Sequence, residues 1–298
     1  MSYTKPPCSY EQQLDILKSR GLVVHDEGKA LHCLEHHNYY RLSAYRCVLT
    51  QQGSSDQFID GATFDQLWSL YCFDRELRLL VMEAVKRLEI SVRAHWAYTL
   101  GHKYGAQAYE DVSVFRNPGR HTSALCKLDD ELRRSHEVFV SHFRQQYNMV
   151  RPPIWAACEI MSFGLLSRFY ENLRRESDKK AIARVYDLSA NGLKSLLEHA
   201  VYVRNLCAHH SRLWNRRFTI TVALPKNRPN SLVESLNPAA DRRVYNTLTL
   251  LAHIVNIVEP ENHWKDRMRR LIEDQNIPVT EHMGFPDNWK DSPLWQEE

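Results

Sequence analysis

Apolar residues return every three or four positions along most of this chain, and that periodicity constrains its fold more than any other feature. Behind a Thr63 N-cap the stripe runs Phe64, Leu67, Leu70, Tyr71, Leu77, Val81, Val85, Leu88 and Val92, which predicts one long helix. Ser9 and Gln12 form a capping box after Pro6-Pro7, and Gly21 ends the helix they open. A second helical run over residues 28–50 carries Leu31, Leu34, Tyr39, Leu42 and Tyr45, and the turn-rich segment 51–61 reads as a linker. A long loop is expected over 101–119. Helical patterns follow over 125–147, 155–173, 178–186, 189–208 and 242–258, before a Pro- and Trp-rich tail. Only 218–224 alternates like a strand. The expected fold is an all-α helical bundle, with a small N-terminal helical subdomain over 1–60. A helical domain over 61–298 then carries a short β-like extension and a C-terminal helical extension.

Several classes of protein are disfavoured. No run approaches the ~18 apolar residues of a membrane span, and the opening MSYTKPPCSY lacks an apolar signal core, so a cytoplasmic protein without membrane partners is expected. The seven cysteines are scattered, odd in number and without a CxxC pair, which argues against both a disulfide framework and a Cys-type zinc site. His32 and His36 stand four apart around Cys33, a metal-like spacing, but no second ligand pair sits nearby and no metal is expected. GxGxxG, Walker, HExxH and GxSxG motifs do not occur, so no cofactor is expected either.

The net charge of +3 conceals an uneven distribution. Of the 39 basic residues 27 are Arg, the planar bidentate cation that suits phosphates. Between Glu198 and Glu234 there is no acidic residue, while Arg204, Arg212, Arg216, Arg217, Lys226, Arg228, His199, His209 and His210 all fall there. Such a stretch is either a solvated face or the footprint of a polyanion partner.

The helix from Ser189 places Leu193, Leu196, Leu197, Ala200 and Val203 on one stripe, which continues onto Arg204, Cys207 and Ala208. An arginine on a core-facing stripe needs a partner, because an unpaired buried charge costs several kcal/mol. Asn205 and His209 are four apart and share a face, so Arg204, Asn205 and His209 can converge on one pocket. The competing reading is a buried Arg ion pair beside a capping His at a helix end.

The string YVRNLCAHHSRLWNR, Tyr202 to Arg216, resembles the signature of the Abi family of AbiD/AbiF-like abortive-infection proteins, within the HEPN superfamily. Those ribonucleases carry an Arg, usually followed by a polar residue, and a His after four to six intervening residues; Arg204 and His209 enclose four residues, Arg204 and His210 five. KPPCSYEQQLDILKSRGLVV with HHNYYRLSAY, LYCFDRELRLLVMEAVKRLEISVRAHWAY with LGHKYG, and EIMSFGLLSRFY resemble further family blocks in the same order. The resemblance implies a metal-independent RNA endonuclease acting as a toxin in phage defence. Its catalytic residues would be Arg204, Asn205 and His209 or His210. An acidic residue facing the motif, Glu89 or Asp74, would fix the Arg204 guanidinium; the competing reading of Glu89 is an ion pair with Arg93, four residues on, as for Glu83 with Arg87. Arg212, Trp214, Arg216 and Arg217 would bind RNA, with Trp214 either in the core or stacking on a base. One motif per chain implies a homodimer with a composite site, and the RNA partner is substrate or a small inhibitory antitoxin. A catalytically silent HEPN module binding RNA or protein is the alternative. A regulator reading nucleic acid through Arg41 and Arg46 of the N-terminal helices is a third.

Overall fold

A computed structural model of the chain describes residues 6–51, 53, 56–276 and 278–296. Residues 52, 54 and 55 of the expected linker lie outside the described residues. Among the described residues there are thirteen α-helices and no β-strand, only isolated bridges, as an all-α reading requires.

The chain divides into two units: Met1–Leu77 with Asp274–Pro278, and Arg78–Glu273 with Val279–Glu298. In the first, α1 (Tyr10–Ser19) opens on the Ser9–Gln12 capping box and is followed by Gly21 at φ 90°. The second helical run is broken into α2 (Glu27–His37) and α3 (Tyr39–Ser43), because Asn38 between them adopts φ 58°. α2 packs on both α1 and α3. The long helix is α4 (Phe64–Tyr104), entered through a Thr63–Gln66 capping box. Its residues up to Leu77 belong to the first unit and the rest to the second.

In the second unit α4 supplies a fully buried row, Val81, Ala84, Val85, Leu88, Val92 and Trp96. The helix runs past Gly101 and stops before Gly105, which takes φ 90°. The expected loop is therefore shorter at both ends, since α5 (Pro118–Arg134) begins on an Asn117 cap with Pro at its first turn. There follow α6 (Val138–Tyr147), α7 (Ile154–Ile160), α8 (Phe163–Glu171), α9 (Glu176–Arg184) and α10 (Ala190–Ala208). α8 packs against α5 and α10, and α9 against α10. After the short α11 (Asn230–Glu234) comes α12 (Val244–Val258), buried through most of its length, then α13 (Trp264–Glu273). Trp264 fixes α13 to α4 by donating its indole N–H to the Leu80 carbonyl, 2.7 Å.

The β-like extension expected over 218–224 is not a strand. Phe218 and Val222 are buried, but the backbone bonds to no neighbouring strand. Its polar groups go elsewhere: Ala223 N–H donates to Ser195 Oγ (2.8 Å), Phe218 N–H to the Arg242 carbonyl (2.8 Å), and the Ile220 carbonyl accepts from His199 (2.8 Å). Alternation thus reports an extended segment laid on α10, with the ladder replaced by bonds to the Ser195 and His199 side chains and to the Arg242 carbonyl.

Candidate functional site

α10 carries the candidate site at its C-terminal end. Ser189 caps its start, accepting from Gly192 N–H at 3.0 Å, and Leu193, Leu196, Leu197, Ala200, Val203 and Cys207 form its buried stripe. At 100° per residue Arg204 lies on the flank of that stripe, beside Leu193 and Leu197. Those two are wholly buried, whereas Arg204 is half-buried and Ala208, one turn on, is exposed. The flank runs out of cover in the last turn. The expectation of a fully core-facing Arg204 with an internal acid is therefore corrected: its Nη1 donates to Asn205 Oδ1 at 3.2 Å.

The helix ends in a Schellman motif. His209 N–H donates to the Asn205 carbonyl (3.0 Å), His210 N–H to Cys207 (3.0 Å) and Ser211 N–H to Leu206 (2.9 Å). His210 occupies the left-handed position at φ 55°, where glycine is usual and a side chain costs about 1–2 kcal/mol. His209 is exposed, and among the described residues its imidazole makes no hydrogen bond or ion pair. Asn205 joins the pieces. Its side chain receives Arg204, its carbonyl receives the His209 backbone, and its face of α10 lines a groove of about 390 Å³ against α8.

That groove also contains Tyr202, Lys194 and Glu198 from α10, with Ser167 and Arg168 from α8. Lys194 pairs with Glu171 at 3.0 Å, whereas exposed Arg168 has no partner among the described residues. Sequence reasoning missed Arg168 and Tyr202. Both lie inside the quoted signature blocks, but only the α8–α10 packing brings them together.

The expected supporting acids are engaged elsewhere. Glu89 accepts from Arg93 one turn along α4, and Arg93 also donates to the Met161 carbonyl (2.9 Å) at the end of α7. Glu89 therefore braces α4 against α7 and does not pair with Arg204. Asp74 is fully buried in the first unit, where it accepts from the Tyr45 hydroxyl at 2.6 Å.

The basic stretch after the motif is not one uniform face. Trp214 is wholly buried and its indole N–H donates to the Val279 carbonyl (3.1 Å), so the stacking role is corrected to a core role. Arg216 Nε donates to the Arg212 carbonyl (2.7 Å), tying the loop together. Arg217 is exposed with no partner among the described residues. His199 is no cation. Its Nδ1–H donates to the Ile220 carbonyl and its Nε2 accepts from Thr247, both 2.8 Å. Burial pushes its pKa down to about 4, against the opposing pull of the Ile220 carbonyl.

A family model described as Abi-like protein matches residues 32–215, well over half of the chain and all of α10. No curated protein and no solved structure matches the chain.

Proposed function

Because the chain belongs to the family of Abi-like proteins, which ties it to abortive infection and phage defence, we propose that it is a metal-independent RNA endonuclease of the HEPN type. One observation carries this reading: an exposed, uncommitted His209 imidazole beside the Arg204–Asn205 pair. A silent binding module would have no need to keep that ring clear of packing.

RNA carries its own nucleophile, so the site has only to position it and manage protons and charge. The 2′-oxygen attacks the adjacent phosphorus while its proton passes to a base, and the 5′-oxygen leaves with a proton. The products are a 2′,3′-cyclic phosphate and a 5′-hydroxyl. His209 is assigned one of the two proton transfers, a task suited to imidazole near neutral pH. Arg204 neutralises the charge that builds on the phosphoryl oxygens. Asn205 holds the guanidinium and can accept or donate to the RNA. His210 is the second candidate histidine, and Arg212, Arg216 and Arg217 are assigned to RNA phosphates.

A second copy of the chain completes the site in this reading. The uncovered flank at Arg204 and Ala208 is where such a copy would bury surface and bring a second Arg–His pair. A small RNA held by the same basic stretch would act as antitoxin. Expression in cells tests the proposal: wild type should slow growth and fragment RNA, and Arg204→Ala and His209→Ala should do neither. Equal toxicity of all three would reject it.

A further inference from the structure

Three potential metal ligands on α2 stand outside the proposed cleavage chemistry. His32, Glu35 and His36 are exposed, and their donor atoms all lie within 4.8 Å of one another. The spacing i, i+3, i+4 puts them on one helix stripe, and the two imidazole rings meet edge to face with centroids 4.6 Å apart. The opposite stripe, Ala30, Cys33 and Leu34, is buried, and Asp26 caps the helix start, so the three donors rise from an anchored backbone. Among the described residues none of the three makes a hydrogen bond or ion pair with another group. Their neighbour His37 shows the contrast, with Nδ1 bonded to the Cys33 carbonyl (3.2 Å) and its ring against Trp68 and Tyr71.

We propose that His32, Glu35 and His36 form a binding site for a divalent transition-metal ion of the zinc class. Two imidazoles and one carboxylate are a borderline donor set that selects zinc, nickel or copper over magnesium and calcium. Bonds of about 2.0–2.2 Å in a tetrahedral shell set donors about 3.3–3.6 Å apart, which exposed side chains reach by torsional changes. Three protein donors leave a coordination position for water or for a donor from another molecule. The site belongs to the first unit and the motif to the second, and the cleavage chemistry does not run through it.

Calorimetric titration of the full chain, stripped of metal, with zinc chloride at pH 7.5 tests the site. Wild type should take one zinc per chain. His32→Ala and His36→Ala should each weaken binding at least tenfold, and Glu35→Ala several-fold, with far-UV circular dichroism unchanged. Zinc should also shift the ring resonances of two histidines in the wild-type spectrum, a readout independent of any variant. The exposed thiols of Cys8, Cys47 and Cys126 are competing donors, so alkylation should leave the wild-type affinity unaltered. Zinc binding by the double His variant as tight as that of wild type, or its loss on alkylation, would overturn the assignment.

Discussion

Arg204 donates to the side chain of Asn205, its own neighbour in the chain, across 3.2 Å, and to no acid among the described residues. A guanidinium held only by the next residue on a half-open helix flank contributes little to the stability of the bundle. Arg204→Ala and His209→Ala should therefore change unfolding free energy by no more than about 0.5 kcal/mol, as surface substitutions do. RNA cleavage should fall by a factor on the order of 10² or more in each, the cost of removing a charge-stabilising donor or a proton-transfer group. Urea denaturation beside a cleavage assay separates the two. A large stability loss in both variants would make the pair structural.

His210 offers a comparison that isolates its backbone. Both His210→Gly and His210→Ala delete the imidazole, but only glycine is at ease at φ 55°. The alanine variant should be less stable than the glycine variant by about 1 kcal/mol. Equal stabilities would mean that the Schellman turn is not held in solution. If His209 carries the proton transfer, both variants retain cleavage.

Trp214 and Arg217, three residues apart, should respond in opposite ways. Trp214→Ala empties a core site and should cost roughly 3–5 kcal/mol of stability. Arg217→Ala should leave stability alone and lower the slope of log affinity against log salt by roughly 0.7 for single-stranded RNA. An unchanged slope would remove Arg217 from the RNA footprint.

Much of this architecture is legible locally, and the misreadings have physical causes. The capping boxes at Ser9–Gln12 and Thr63–Gln66 and the buried stripe of α10 depend on residues within a turn or two of each other. The start of α5 lies seven residues ahead of the expected position because Asn117-Pro118, a good cap, sits inside a stretch dense in loop residues. α13 falls in a tail whose prolines and tryptophans obscure an amphipathic decapeptide. For the site, spacing shows that Arg204 shares a flank with Leu193 and Leu197, but not that cover ends one turn later. Glu89 shows the same limit. Its i,i+4 spacing already pairs it with Arg93 in the sequence, and only the further reach of Arg93 to the Met161 carbonyl at the end of α7 is tertiary information.

Acid should weaken the fold through its buried histidines. Burial lowers the pKa of His199, to about 4, and that of His253, whose Nε2–H donates to the Tyr186 carbonyl at 2.9 Å. In the unfolded chain both rings take up a proton near pH 6.5. Between those values the unfolded state binds more protons, so stability is complete above about 6.5 and is lost as pH falls toward about 4. His199 alone accounts for roughly 3 kcal/mol over that window. Urea unfolding at pH 7.5 and 5 should show the loss, and His199→Gln, though less stable at neutral pH, should show less of it. An identical pH dependence in that variant would rule His199 out as the source.

Incubation of the purified protein with RNA in excess EDTA, followed by analysis of the new ends, shows whether Arg204 and His209 cleave RNA without a metal. Cleavage should be undiminished, leave 2′,3′-cyclic or 3′-phosphate and 5′-hydroxyl ends, and disappear in Arg204→Ala and His209→Ala. Cleavage that stops on chelation, returns with a divalent ion and leaves 3′-hydroxyl ends would contradict that chemistry.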